Sequence, residues 1–181
     1  MPRAFRPARV AGSTSRSSFT KRLARFGAAT AVALGVVTGL SVAGAGAASA
    51  APVDCVSPPS DNQILVSETA SCGATARDGG LARSGAADSG TAVSTADGQG
   101  TTATTYANGF GTALGASQEQ GQAYAFALGG GIARSGASAG ATTVAIAGWG
   151  SGATADANGV DCVGALSLAF NVQTGQACAM R

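Results

Sequence analysis

Large and small side chains alternate through the centre of the chain. Gln122, Tyr124, Phe126 and Leu128 interleave with Ala123, Ala125 and Ala127, and Val144 and Ile146 interleave with alanines in the same way. A period of two residues is typical of β-strands, whose side chains point to opposite faces in turn. The pattern therefore predicts short strands in which one face carries alanine.

Glycine spaces these strands at regular intervals, at Gly80, Gly90, Gly100, Gly111, Gly121 and Gly131. The closely similar heptads GLARSGA and GIARSGA begin at Gly80 and Gly131. With two units per coil, Arg83 and Arg134 would lie on opposite faces, whereas three whole coils between them would place them on one face. The spacing alone leaves both arrangements open.

Turn residues separate the predicted strands at Asp97-Gly98, Asn108-Gly109 and Asn158-Gly159. Asn, Asp and Gly tolerate a positive φ, and a side chain added to such a glycine costs about 1 kcal/mol or more. We therefore expect Gly109 and Gly159 to matter more for the fold than Arg83 and Arg134.

These patterns predict an all-β protein, a β-solenoid or β-roll of Gly/Ala-rich strands capped by disulfide loops. Leu, Ile, Val and Phe are scarce between positions 51 and 181, a composition that also suits a largely disordered repeat. A compact β-sandwich is a third possibility. Net charge is too low for a typical disordered chain, which favours the solenoid.

Four cysteines frame the repeat as two close pairs, Cys55 with Cys72 and Cys162 with Cys178. Local pairing would close two short loops and stabilise the fold by about 3 kcal/mol each. One of the other two connectivities would join the two ends of the chain instead. We predict local disulfides, with a cap at 51–72, a repeat region at 73–161 and a second cap at 162–181. Larger apolar residues in the caps are expected to seal the ends of the stack: Ile64, Leu65, Val66, Leu166, Leu168, Phe170 and Val172.

The segment 1–50 has the pattern of an export signal. Seven basic residues and no acidic one precede an apolar run from Phe26 to Ala43, and small residues lead up to Ala50. We expect cleavage after Ala50 and a secreted, extracellular protein that is held at the cell surface without a covalent link, if at all. No membrane contact is expected after cleavage.

The remaining residues carry four arginines and nine carboxylates, a net charge of −5. They have no basic stripe for nucleic acid, so we expect no nucleic-acid partner.

Two resemblances follow from particular strings. TTVAIAGWGSGATADANG and GTALGASQEQGQAYAFALG resemble the head repeats of trimeric autotransporter adhesins, which implies a β-roll and an adhesive role. The export signal, the Ala/Gly-rich body and the paired cysteines resemble small secreted actinobacterial proteins of unknown function, including the chaplins. Cys162-VGALSLAFNVQTGQA-Cys178 has the chaplin layout, which implies surface activity and self-assembly.

Catalytic chemistry has few candidates. Residues 51–181 contain no His and no Lys, which excludes His-based triads and Schiff-base lysines. We expect no enzyme, no cofactor and no metal site. A carboxylate-dependent glycan hydrolase using Asp88, Asp97, Glu119 or Asp156 is a distant alternative.

Trp149 and Phe110 are the candidate binding residues. Each aromatic lies between two glycines, which supply no side chain to bury it, so one interpretation is an exposed ring that stacks on a sugar or a partner. The other interpretation, that both rings plug the core, is favoured. The sequence thus predicts a structural or adhesive protein, with a cell-surface glycan or self-association as its contact.

Overall fold

The computed structural model describes residues 51–181, and the predicted export signal lies outside them. These residues form fourteen strands and no helix: β1 (Val53–Ser57), β2 (Asn62–Val66), β3 (Ser71–Arg77), β4 (Leu81–Ala87), β5 (Thr91–Asp97), β6 (Thr102–Asn108), β7 (Thr112–Gln118), β8 (Gln122–Leu128), β9 (Ile132–Ala137), β10 (Thr142–Ala147), β11 (Gly152–Ala155), β12 (Val160–Val163), β13 (Ser167–Asn171) and β14 (Gln176–Met180).

The strands build a β-solenoid of about four turns, which confirms the predicted fold class. From β3 to β11, successive strands alternate between two seven-stranded sheets. Sheet 1 has the order β1-β4-β6-β8-β10-β13-β14, and sheet 2 has the order β2-β3-β5-β7-β9-β11-β12.

Each coil consists of two strands and two turns. Leu81 pairs with Thr102, and Thr102 pairs with Gln122, so these three residues occupy the same position in successive coils. The duplicated heptads fall two and a half coils apart, with Arg83 in sheet 1 and Arg134 in sheet 2. The arrangement with two units per coil is therefore the observed one.

The interior between the sheets is made of small side chains. Within residues 51–181, every buried apolar residue is an alanine or a half-cystine. The inward positions of β8 are Ala123, Ala125 and Ala127, all fully buried, while Phe126 points outward. Parallel pairing stacks such alanines in columns from coil to coil, as Ala103 pairs with Ala123 in sheet 1. The alternation read from the sequence therefore places alanine inside and the large side chains outside.

The two sheets approach each other closely, which explains why the inward side chains are small. A Cβ on the inward Gly115 would lie 2.8 Å from Thr105 Cγ2 across the core, so a glycine in one sheet makes room for a threonine in the other. Some inward hydroxyls form a hydrogen-bonded cluster. Ser84 Oγ donates to Gly73 O at 2.6 Å and lies 2.7 Å from Ser94 Oγ. Hydroxyls thus fit this interior when they find partners, because an unpaired buried polar group is costly.

Glycine occupies the position just before the strand in five of the turns, at residues 80, 90, 111, 121 and 131, and Thr101, Ala141 and Ser151 occupy it in three others. The residue just before the strand is buried, and its N–H donates to the residue three positions earlier, as Gly111 N does to Asn108 O at 3.2 Å. A Cβ on Gly111 would lie 2.6 Å from Ala127 O, and on Gly131 2.5 Å from Ala147 O. Backbone contact, rather than a positive φ, selects glycine here.

Two expectations for glycine were wrong. Gly100 does not belong to the buried series, because it lies in a turn with φ +75° and Thr101 takes the buried position. Gly159 is not left-handed, and a Cβ there would meet only Gln176 Oε1 at 3.6 Å. Asp156 shapes that turn instead by accepting hydrogen bonds from the N–H groups of residues 158 and 159. Gly109, with φ +60°, is left-handed as predicted.

Both predicted disulfides are present, and each crosses the core. Cys55 of β1 in sheet 1 joins Cys72 of β3 in sheet 2, and Cys162 of β12 joins Cys178 of β14 in the same manner at the other end. The end strands run antiparallel to the stack, as β1 does along β4 and β12 along β11. The disulfides therefore tie the two sheets together at both ends of the solenoid.

The larger apolar residues of the caps do not seal the core as expected. Ile64 and Val66 are 67% and 74% exposed, and Leu166 and Val172 are also exposed. Phe170 is half-buried on the outer face of sheet 1. The interior is too thin to admit these side chains, so strand pairing and the disulfides close the ends.

Alanine substitutions at two glycines test the close contact at the strand entry. We expect Gly111→Ala to lower the free energy of unfolding by about 1–3 kcal/mol, because its Cβ would lie 2.6 Å from Ala127 O and the backbone would have to shift. Gly159→Ala is the matched control and should change it by less than about 0.5 kcal/mol. Denaturant unfolding measures both values, and equal losses would contradict the backbone-contact explanation.

Candidate functional site

Four turns stack along one edge of the solenoid, which we call the aromatic edge. They contain residues 88–89, 109–110, 129–130 and 149–150, and they connect β4 to β5, β6 to β7, β8 to β9 and β10 to β11. Backbone hydrogen bonds join successive turns: Phe110 N donates to Asp88 O, Gly129 N to Asn108 O and Trp149 N to Leu128 O. The edge is therefore a continuous, internally bonded ladder.

Both predicted binding residues lie on this edge and both are exposed. Phe110 is 78% exposed and Trp149 is 76% exposed, so neither ring plugs the core. Their turns lie two coils apart, about 10 Å along the solenoid axis at the usual strand spacing.

The Trp149 ring lies against the backbone of Gly129. A Cβ built on Gly129 would lie closest to Trp149 Cε3, with the adjacent ring atoms Cζ3 and Cδ2 at 2.8 and 2.9 Å. Nearly equal distances to both neighbours place that point above the ring plane, because a point beyond the ring edge would be distinctly farther from them. One face of the indole therefore covers Gly129, and any side chain at position 129 would displace the ring.

A shallow groove of about 530 Å³ surrounds the two rings. Leu128 and the glycines of the middle turn form part of its lining, and Asn108 supplies an amide. Asn108 Nδ2 donates to Asp88 Oδ2 at 3.0 Å, which fixes the amide and leaves its oxygen as an acceptor. The groove thus combines apolar surface with a few oriented polar groups, the usual composition of a ligand site.

Backbone strain accompanies both rings. Phe110 has φ +65° and Trp149 has φ +35°, a region that costs a residue with a side chain about 1–2 kcal/mol and is unusual for a bulky one. The equivalent turn between them is filled by Gly129 and Gly130, which adopt positive φ easily. The same positive φ occurs at Asp88 and Ser89 and at Glu119 and Gln120 in other turns, so the conformation belongs to the turn type and does not single out the two rings.

A second surface, the outer face of sheet 1, was not predicted as a site. Tyr106, Phe126, Ile146 and Leu168 stand in register on β6, β8, β10 and β13. A parallel row on the same strands contains Tyr124, Val144 and Phe170. Tyr106 is 38% exposed and Leu168 37% exposed. The signal was present in the sequence as large residues spaced one coil apart, but it required the coil length to be recognised.

The duplicated arginines border two further grooves, on opposite faces of the solenoid. Arg83 lies beside Asp54 in a groove of about 520 Å³, and Arg134 lies beside Asp156 in one of about 410 Å³. The outward glycine two residues on is covered by a neighbouring side chain in each heptad: a Cβ on Gly85 would lie 2.9 Å from Asp54 Oδ1, and one on Gly136 would lie 3.5 Å from Asp156 Cβ. Both grooves are shallow and open on the sheet surface.

The carboxylates of the distant catalytic alternative lie on both edges of the solenoid, and Asp97 pairs with Gln118, the neighbour of Glu119, in the adjacent coil. Asp88 lies on the aromatic edge, whereas Glu119 lies in the turn between β7 and β8 on the opposite edge. Within residues 51–181, no group of three or more Cys, Asp or Glu side chains is arranged to hold a metal ion. No helix in that range has the length and hydropathy of a membrane span.

Comparison with known proteins yields one match. A family model described as a family of unknown function (DUF6764) matches residues 19–181. No curated protein and no solved structure matches the chain.

Replacing Phe110 by asparagine separates a binding role from a folding role. Asn tolerates the left-handed region, so we expect Phe110→Asn to leave the free energy of unfolding unchanged or to raise it by up to about 1 kcal/mol. Tyr106→Asn is the control, because Tyr106 is an exposed aromatic in a strand whose ring packs on Gly85, and it should be destabilising. Thermal unfolding compares the two variants, and a large loss for Phe110→Asn would mean that this ring stabilises the fold.

Proposed function

Because this chain belongs to the DUF6764 family, whose function is unknown, we propose its role from its architecture. We infer a secreted, non-enzymatic structural or adhesive protein that acts at or near the cell surface. The two disulfides that join the sheets at both ends carry this proposal. Disulfides persist in oxidising compartments, and crosslinks at both ends protect a solenoid at the positions where it would fray.

The adhesive role is supported by what the solenoid displays. Small side chains fill the interior, and aromatic and aliphatic side chains remain on the surface, among them Phe110, Trp149 and Tyr106. Exposed apolar groups on a rigid frame favour contact with a partner.

Self-assembly is the second candidate, and the outer face of sheet 1 favours it. Its seven aromatic and aliphatic side chains form two rows across β6, β8, β10 and β13. The end strand β2 adds an unpaired edge with exposed Ile64 and Val66, and such an edge is a template for pairing with another chain. A surface-active protein would use either surface to associate.

Expression of the full chain in an exporting bacterium tests the proposal. We expect a protein outside the cytoplasm that begins at Ala51, contains both disulfides and binds saturably to the surface of the producing cells. The double variant Cys55→Ala/Cys72→Ala is the control, because an open N-terminal end should lower stability by about 3 kcal/mol and weaken retention. N-terminal sequencing, mass spectrometry and cell pelleting give the readouts.

Three results would contradict the proposal. An uncleaved chain with free thiols in the cytoplasm would exclude secretion. Open-ended species in sedimentation, in place of a discrete one, would favour self-assembly. Turnover of a glycan that is lost on alanine substitution of one carboxylate would show an enzyme.

A further inference from the structure

We propose that the aromatic edge binds a neutral glycan, with the free face of the Trp149 indole as the stacking platform and Phe110 as a second contact along the same chain of sugars. This inference rests on the proposed adhesive function and assigns it a site and a class of ligand. It starts from the exposure of the two rings and from the placement of the indole on Gly129.

The indole has one face occupied and one face free. Gly129 lies under the ring, as the nearly equal distances to Cζ3 and Cδ2 show, and Trp149 remains 76% exposed. The free face of a fixed ring is a flat apolar surface of the size of one pyranose, whose axial C–H groups form a matching apolar face. An aromatic ring of this kind buries a large area while its polar N–H group remains available at the ring edge.

The platform is rigid before any ligand binds. Trp149 N donates to Leu128 O at 3.0 Å and Gly150 N donates to Gly129 O at 3.2 Å, so the turn is held to the coil beneath it. Little conformational entropy is lost when a ligand meets a surface already in place.

The spacing of the rings favours an extended ligand. Phe110 and Trp149 lie two coils apart, about 10 Å along the axis, and the groove of about 530 Å³ includes both of them. A short run of sugars lying along the edge would contact the two rings in succession. Asn108, fixed by its hydrogen bond to Asp88 Oδ2, offers an amide oxygen to a hydroxyl group at the Phe110 end.

Charge excludes an anionic glycan. Asp88 is the single ionisable side chain in the four turns of the aromatic edge. Residues 51–181 as a whole have a net charge of −5. No arginine lines this groove. A sulfated or carboxylated polysaccharide would meet a carboxylate and no cation, which leaves a neutral one.

A proline-rich peptide fits less well. Such peptides bind in slots between upright aromatic rings, and here the indole lies flat over Gly129 and fills the space where a slot would be. The exposed face of the indole favours a ligand that has a flat apolar surface.

Intrinsic fluorescence tests the inference directly, because Trp149 is the only tryptophan of the chain. The oxidised protein is titrated with neutral oligosaccharides from a panel of β- and α-linked glucans, mannans and N-acetylglucosamine polymers, and with a proline-rich decapeptide. We expect at least one neutral oligosaccharide to shift the emission saturably, the longer oligomers to bind more tightly, and the decapeptide to have no effect. A response to the decapeptide alone, or to no neutral glycan, overturns the inference.

Variants locate the site by calorimetry with the best oligosaccharide. Trp149→Ala should weaken binding at least tenfold, Phe110→Asn severalfold, and Gly129→Ala as much as Trp149→Ala because it displaces the indole. Tyr106→Asn, an exposed aromatic on the sheet face, is the control and should leave the affinity unchanged. Unchanged affinity in Trp149→Ala overturns the inference, as does an emission shift that depends on protein concentration without ligand, which would show self-association through this edge.

Cell binding separates this inference from the proposed function. If Trp149→Ala still binds to the producing cells like the unaltered protein, adhesion stands and the glycan site does not carry it, which overturns the inference. If the unaltered protein binds the oligosaccharide and fails to bind cells, the glycan site stands and the adhesive role falls.

Discussion

The two sheets approach each other through an interior that admits little more than alanine. Ala125 in sheet 1 and Ala133 in sheet 2 are fully buried, and their neighbours Phe126 and Ile132 point outward. Such a core supplies little apolar area per residue, so a large part of the stability must come from the continuous parallel ladders and from the close packing of backbone against small side chains. Every large side chain is left for the surface.

The thin interior also determines how the turns are built and how the ends of the solenoid are closed. A chain that reverses around so thin an interior brings the entry of each strand against a carbonyl of the opposite strand, which is why Gly111 and Gly131 have no room for a Cβ. Apolar side chains cannot plug the ends, because the space between the two sheets is too thin to hold them. Cys55–Cys72 and Cys162–Cys178 cross the core there and hold the sheets together by covalent bonds. The remaining polar atoms fit only where they find partners, and Ser117 Oγ is a buried exception without one.

Sequence patterns predicted the strands, the solenoid and the disulfide pairing, because each depends on short-range order. Alternation around Phe126 and the spacing of Cys55 and Cys72 are visible within short stretches of the chain. Predictions that required the coil length were weaker. Gly100 and Thr101 exchange roles because one turn is a residue longer, and the Gly159 turn is shaped by the carboxylate of Asp156.

The candidate site also combines features that are visible within a short stretch of sequence with features that depend on the coil length. Flanking glycines singled out Phe110 and Trp149, but the favoured expectation that both rings plug the core was wrong, since both are exposed. Their alignment on one edge, and the indole face laid on Gly129, depend on turns of successive coils meeting in the ladder. The apolar rows on sheet 1 have the same origin and were missed for the same reason.

Two substitutions at neighbouring positions of β8 test the thin interior most directly, with the free energy of unfolding measured by chemical denaturation. Ala125→Leu should unfold the oxidised protein or lower its stability by at least about 3 kcal/mol, because overpacking here has no space to relax into. Phe126→Ala should cost well under the roughly 3–5 kcal/mol typical of a buried phenylalanine. A tolerated leucine at position 125 together with a full core penalty at position 126 would contradict the account.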